Sequence, residues 1–457
     1  TGNSIQKTSY RQGGNNVKKI ISLLLVLVML LGILAGCAGK TTQEPAPAPA
    51  ATEQTTEASV NTETTETDPK EITAELTLWD ASWNEQRTPA LIEKFNEIYP
   101  NIKVNVEFFP SNGMSDKYLT ALTSGSSADL LSVNNEWIST YATAGTLMNL
   151  DENIAADNYD MSDFYDGARK GVTVNGSIYG MPYRAETHGM FYNVGEFAAA
   201  GYDTLPETWE EFLDAAVAIT ENSNGEVKGI AVPGGEWGNT SYQLINMILC
   251  SGGSILNEDN TECMLNSEKS LRAVQYFVDL YREYGVVPES IMENDNAAGR
   301  VLFAEGKAAS FMSGAYDIDA VLGINPDVDL GTGMVPVFEG EQRNLIFAGW
   351  STVISAKTQY PEAAWLLAKF LSSPEIDIEY SMTFSARASE MNSEVYTSNP
   401  LMTALAESVQ YGEPLPVIPQ LTQIRQIMFE KIQLALAGEM TAEEAMNEAT
   451  AEINDIL

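Results

Sequence analysis

Apolar and polar positions begin to alternate in a readable way at Glu71. Leu76-Thr-Leu78-Trp79 predicts a short strand. Leu91, Ile92, Phe95 and Ile98 recur at helical spacing behind Thr88 and Pro89, which supply a cap and a first-turn proline. Ile102, Val104, Val106 and Phe108 then alternate with polar residues as a second strand. Strand, helix and strand within some 35 residues predict a βαβ unit on a parallel sheet. Further on, two short strands flank Asn175-Gly176, a strong local hairpin signal. Thr208-Trp-Glu-Glu211 reads as a capping box opening a helix with Trp209, Phe212, Ala216 and Ile219 on one face. Helices are also expected over 270–284, 362–371 and 421–437, with a last one after Thr441…Glu444. The mixed α/β pattern runs to the end of the chain without an internal repeat.

Two earlier segments lack this periodicity. Lys18-Lys19 precede an uncharged, apolar run from Ile20 to Leu34, followed by Ala35-Gly36-Cys37. A cationic start, a short apolar stretch and small residues before a cysteine resemble a bacterial lipoprotein export signal, with Cys37 as lipid acceptor. The run is shorter than the ~20 residues a membrane-spanning helix needs. Residues 1–36 are therefore expected to be absent from the mature protein. Val17 is read as a non-AUG start, with residues 1–16 upstream of it. From Ala38 to Lys70 the chain is Thr, Glu, Pro and Ala with no aromatic residue. This composition cannot bury enough apolar surface to fold and reads as a tether, spanning roughly 30 Å root-mean-square if flexible. Its acidic, Thr-rich character points to a single-membrane host.

Charge narrows the possible partners. Four of the 25 basic residues, Lys7, Arg11, Lys18 and Lys19, precede Cys37 and no acid does. The chain beyond carries 21 basic against 63 acidic residues, a net of −42. Nucleic acid and anionic lipid both require cationic surface, so neither is an expected partner, and lipid on Cys37 is the expected membrane contact. Cys250 and Cys263 could pair or remain free thiols. With one histidine, His188, and no Cys-x-x-Cys, no zinc site, other metal or cofactor is expected.

Separated segments then match one family in order and spacing. They are Leu76-Thr-Leu-Trp-Asp80 with Leu91-Ile-Glu-Lys-Phe95, Ala128-Asp-Leu-Leu131, Tyr141-Ala-Thr-Ala-Gly145-Thr-Leu147, Ile178-Tyr-Gly-Met-Pro-Tyr183 and Met190-Phe-Tyr-Asn193. Leu205-Pro-Glu-Thr-Trp-Glu-Glu-Phe212, Phe303-Ala-Glu-Gly-Lys-Ala-Ala309, Ala348-Gly-Trp350 and Pro361-Glu-Ala-Ala-Trp365, leading to Phe370-Leu-Ser-Ser-Pro374, continue it. Over nearly all of residues 72–457 the chain resembles the extracellular solute-binding proteins of bacterial carbohydrate ABC importers. The resemblance implies a type II periplasmic-binding-protein-like fold: two α/β lobes joined by crossover strands, a ligand cleft between them, and closure by hinge bending. By analogy, lobe one is 72–183 plus 335–384 and lobe two 188–330 plus 387–457. The implied role is a monomeric, non-catalytic, lipid-anchored protein on the extracellular face of the cell membrane. It would deliver a sugar to membrane permease subunits.

Sugars present apolar C–H faces and rings of hydroxyls, so a site for them needs aromatic platforms flanked by carboxylates, amides and guanidinium groups. Trp79, Trp83 and Asn84 follow the first strand, and Glu136 and Trp137 follow the strand expected over 129–133. Both sit at carboxyl ends, where α/β sheets place ligands. Glu186 and His188 lie past the first crossover. Glu236 and Trp237 follow Pro233-Gly-Gly235, and Trp350 follows Ala348-Gly349. The family pattern places an aromatic at Tyr316, next to Asp317. Arg387 falls at the third crossover, and Arg425 stands where some relatives carry an aromatic, which would suit hydroxyls or an acidic sugar. A binder of peptide, polyamine or a glycerol-phosphate-like solute is the alternative. A secreted glycoside hydrolase is a weaker one, since 63 acids make carboxylate pairs common without chemistry, and neither a Gly-x-Ser-x-Gly elbow nor a phosphate loop occurs.

Overall fold

The computed structural model describes residues 68–110 and 113–457; the segment read as an export signal, Cys37 and most of the segment read as a tether lie outside the described residues. Two α/β lobes are joined by crossover segments. The first is built on a six-stranded sheet ordered Phe384–Ser385, Gly180–Glu186, Ala348–Ile354, Leu130–Asn134, Ala74–Ala81, Ile102–Phe109. The Ala74–Ala81 strand pairs in parallel with both Ile102–Phe109 and Leu130–Asn134, as the βαβ pattern predicts. Ala348–Ile354 runs antiparallel to both of its neighbours, so a strand arriving from the far end of the chain completes the middle of the sheet.

Burial explains the order. Gly180–Glu186 is buried along its whole length and Leu130–Asn134 nearly so, as central strands covered on both faces must be. Ala74–Ala81 keeps Leu76 and Leu78 fully buried while Glu75 is exposed. Pro182 cannot donate to a ladder, and opposite it the register slips between Trp350 and Ser351. That bulge sits beside the Trp350 side chain.

The second lobe carries a three-stranded sheet, Ser310–Ser313, Gly189–Asn193, Leu330–Gly333, with the middle strand antiparallel to both others. Its main core is made with the helices Trp209–Asn222, Trp237–Cys250, Glu268–Arg282, Leu421–Ala437 and Ala442–Asn454. Four of these helices are expected from the sequence and Trp237–Cys250 is not; the helix expected over 270–284 begins two residues earlier, capped by Ser267, and ends at Arg282. Thr441 and Glu444 close a reciprocal capping box, whereas at Thr208 only the threonine half forms. Asn175 and Gly176 both have positive φ, as the two-residue hairpin turn requires.

Two local expectations change and one open alternative is decided. Thr88 is the first residue of the Thr88–Ile98 helix rather than its cap, and its hydroxyl donates to buried Asp80 at 2.6 Å. Val335, Phe338, Leu345 and Ile346 pack in the second core, so the chain re-enters the first sheet at Ala348 and not at 335. Cys250 and Cys263 are free buried thiols: Cys250 Sγ lies 3.2 Å from the Asn344 carbonyl, and Cys263 lies beside Thr450.

Candidate functional site

The carboxyl ends of the first sheet face the second lobe across a cavity of about 860 Å³. Three indoles form one wall. Trp83 stands on the turn after Ala74–Ala81, Trp137 on the helix Asn135–Thr143 that follows Leu130–Asn134, and Trp350 between them at the bulge. The Trp350 ring meets Trp83 at 4.8 Å and Trp137 at 5.5 Å, both edge-on. Edge-to-face packing fixes the rings through their quadrupoles and leaves apolar surface to the cavity.

The facing wall comes from the second lobe and the first crossover. The His188 ring packs at a tilt against Tyr242 at 4.3 Å and approaches the Tyr316 hydroxyl through Nε2 at 3.4 Å. Burial depresses the His188 pKa to about 3, so the imidazole is neutral at physiological pH. Burial likewise pushes the Tyr242 and Tyr316 hydroxyls well above the usual phenol range, keeping both as neutral donor-acceptors.

Charged groups are set between the aromatic walls in pairs. Arg184 and Glu186 share one face of a strand and meet at 2.6 Å, both nearly buried. Burial raises the Glu186 pKa against the lowering effect of Arg184. Arg300, on the helix Asn296–Ala304, grips Asp317 at 2.5 Å, and Asp317 also accepts from the Ser313 hydroxyl at 2.6 Å. Burial raises Asp317 too, opposed by these partners. Arg425, on Leu421–Ala437, pairs with Glu136 of the first lobe at 2.6 Å. Its remaining donors reach the Gly238 carbonyl at 2.5 Å and Ser241 Oγ at 3.0 Å. Glu236 caps Trp237–Cys250, accepting from the amides of Gly238 and Asn239 and from the Asn239 side chain.

Of the residues singled out in the sequence, Trp83, Glu136, Trp137, Glu186, His188, Glu236, Tyr316, Asp317, Trp350 and Arg425 line this cavity together. Four others do not. Trp79 packs against Phe109 and Tyr118 at 5.2 and 5.5 Å, being still inside the strand. Asn84 is fully buried and donates to Asp80. Trp237 lies under the Arg425 guanidinium at 5.3 Å and thus shapes the wall from behind. Arg387 is buried in the first lobe, bonded to Asp163, Ser372 and Tyr159. Asn134, Arg184, Asn239, Tyr242, Asp295 and Arg300 line the cavity without having been singled out. The i, i+2 spacing of Arg184 and Glu186 on a strand was a usable signal for one of them.

A sequence profile of bacterial extracellular solute-binding proteins matches residues 81–378. The chain belongs to that family. The diacetylchitobiose-binding protein DasA of Streptomyces coelicolor is 25% identical over 355 residues, 76% of this chain and 80% of that one. An ABC-transporter solute-binding protein of Thermotoga lettingae, solved with α-D-tagatose, superposes with a TM-score of 0.73 at 26% identity, covering 84% of this chain and all of that one. The GacH receptor of Streptomyces glaucescens, solved unliganded and with acarbose, gives 0.75 at 22% identity over 85% and 99%. The family and these neighbours are binding proteins rather than enzymes. Among the described residues no helix is long and apolar enough to cross a membrane, and no cluster of side chains is suited to hold a metal ion.

Proposed function

We propose that this protein captures an oligosaccharide or similar hydroxyl-rich solute by closing its two lobes, then presents the closed form to the permease subunits of an ABC importer. The observation that carries the reading is the opposition of Trp83, Trp137 and Trp350 to Tyr242, Tyr316 and His188 across a cavity edged by carboxylates and guanidinium groups. Aromatic faces match sugar C–H surfaces and the polar edge matches hydroxyls. The carbohydrate ligands of the relatives named above point the same way.

The protein acts as a monomer and catalyses nothing. Glu136, Glu186 and Asp317 are each held by an arginine, and Glu236 is held by the start of a helix, which leaves these carboxylates poorly placed to exchange protons with a glycosidic oxygen. Lipid on Cys37 holds the protein at the extracellular face of the membrane, and the tether lets the lobes reach the transporter. Cys37→Ser should release it into the medium.

The deciding experiment is a thermal-shift and tryptophan-fluorescence screen over mono- and oligosaccharides. A binding sugar should raise the melting temperature by linkage and alter indole emission as the cleft closes. Silence on sugars with a response to amines or peptides would defeat the carbohydrate reading, and cleavage of a bound glycoside would defeat the non-catalytic one.

A further inference from the structure

The charges lining the cavity define the ligand more narrowly than the aromatic walls do. Among the described residues, the lining holds three arginines and no lysine, against five carboxylates: Glu136, Glu186, Glu236, Asp295 and Asp317. Each arginine is committed: Arg184 to Glu186, Arg300 to Asp317 and Arg425 to Glu136, all within 2.6 Å. The two carboxylates left over are stabilised by backbone, Glu236 and Asp295 each capping a helix. The cavity thus offers an incoming anion no free cation and a surplus of two negative charges.

We propose that the protein selects against anionic ligands: its solute is a neutral or amino-substituted, hydroxyl-rich molecule, and uronates and sugar phosphates are rejected. This rests on the sugar-binding reading and sharpens it. Ionised carboxylates accept hydrogen bonds and never donate, so their free lone pairs suit hydroxyl and ammonium donors. A ligand carboxylate or phosphate brings acceptors alone. Neutral hydroxyl and amide donors line the cavity, but to gain a cationic partner the anion must displace Glu136, Glu186 or Asp317 from an arginine and leave that carboxylate uncompensated in a largely desolvated site. Arg425 would otherwise be an attractive acid receptor, since its side chain is only 6% exposed and stacked on Trp237; its pairing with Glu136 removes that option. Glu136 is therefore a specificity-determining residue that binds by occupying a cation.

The test uses the full chain and a titration-calorimetry panel of neutral disaccharides of several linkages, each beside its uronate and amino-sugar counterparts. Glycerol 3-phosphate, spermidine and a short peptide complete the panel. The wild type should bind a neutral or amino form and bind the matching uronate on the order of tenfold to a hundredfold more weakly. Glu136→Gln should narrow that ratio, whereas Arg425→Gln should not; Glu186→Gln, which frees Arg184, replaces the first variant if its unliganded melting shows it has not folded. A uronate that binds the wild type as well as its neutral form overturns the proposal and leaves the sugar reading intact. A response confined to spermidine or peptide overturns the sugar reading and the hydroxyl-rich half of the proposal, and supports only the rejection of anions. A response confined to glycerol 3-phosphate, or none at all, overturns both.

Discussion

Replacing Arg387 by methionine should damage stability and spare ligand binding. Arg387 is 5% exposed, and its guanidinium makes hydrogen bonds to the Ser372 carbonyl, at 2.9 Å from Nε and 2.7 Å from Nη2, to Asp163 at 3.0 Å and to the Tyr159 hydroxyl at 2.5 Å. It lies 4.2 Å over the Phe164 ring and 3.8 Å from Asp377, which is fully buried. Methionine can replace the packing but none of the donors. Breaking a buried pair from one side costs about 3–5 kcal/mol, because the partner charge stays behind. At an unfolding entropy of ~2 cal/mol/K per residue, over roughly 390 residues, this lowers the melting temperature by about 4–6 °C.

The loss should also depend on pH. Burial pushes Asp377 up to about 7, against its Ser385 hydrogen bond and Arg387. The folded state therefore holds a proton that the unfolded state releases near pH 4, and stability from this group falls as pH rises through 7. Without Arg387 that rise goes further. For Asp163 burial also pushes upward, but the Arg387 and Ser389 bonds outweigh it and hold the carboxyl low, a stabilisation present above pH 4 that the variant forfeits in part. The Asp163 loss is the same at pH 5 and pH 8, so the Asp377 effect alone makes the destabilisation larger at pH 8 than at pH 5. Melting scans of wild type and variant at the two pH values, each with and without a bound sugar, read all of this. A variant that melts normally but no longer responds to ligand would refute the argument and return Arg387 to the binding site.

Trp350→Ala removes the ring that braces both Trp83 and Trp137 and should weaken ligand binding about tenfold or more, measured by calorimetry; an unchanged affinity would place the sugar elsewhere. His188 is held neutral by burial, so the unfolded state binds the extra proton. Its contribution is complete above pH 6.5 and is lost as pH falls toward 3; His188→Gln should flatten that acid limb in melting scans from pH 4 to 7, by a few kcal/mol at most. Glu236→Ala strips the cap from Trp237–Cys250 and should cost about 1–2 kcal/mol in denaturant unfolding, an amount that Glu236→Asp should largely restore.

What was legible in the chain is what depends on local periodicity. The stripes of Trp209–Asn222 and Leu421–Ala437 and the alternation of Ile102–Phe109 emerge as read, and the residues just past parallel strands fall at the cavity. Trp79 and Trp83 show the limit of that rule. They are four positions apart, but only the second has left the strand, and the exact end of a strand is set by pairing: Ala81 opposite Phe109. Arg387 misled because its partners Asp163 and Asp377 declare themselves only in three dimensions; the residue at a chain crossing was indistinguishable from one facing the cleft. Arg300 was separable from the many surface charges only once its helix had been packed against the strand end that leads to Asp317. The pairing of Arg425 with Glu136 joins residues 289 positions apart and lies beyond any local pattern.

The antiparallel strand at the middle of the first sheet also dictates when the fold can form. Leu131 waits for Val353, some 220 residues later, and Ser385 closes the sheet later still. Until then, Leu130–Asn134 presents an open, apolar edge, and the loop that must close is the second lobe itself. Contacts of such sequence separation make folding slow, and every product truncated before Ala348 carries a sticky, unpaired strand. The first sheet of a nascent chain thus stays incomplete until Ala348–Ile354 has been made, a delay written into strand order rather than into any single residue.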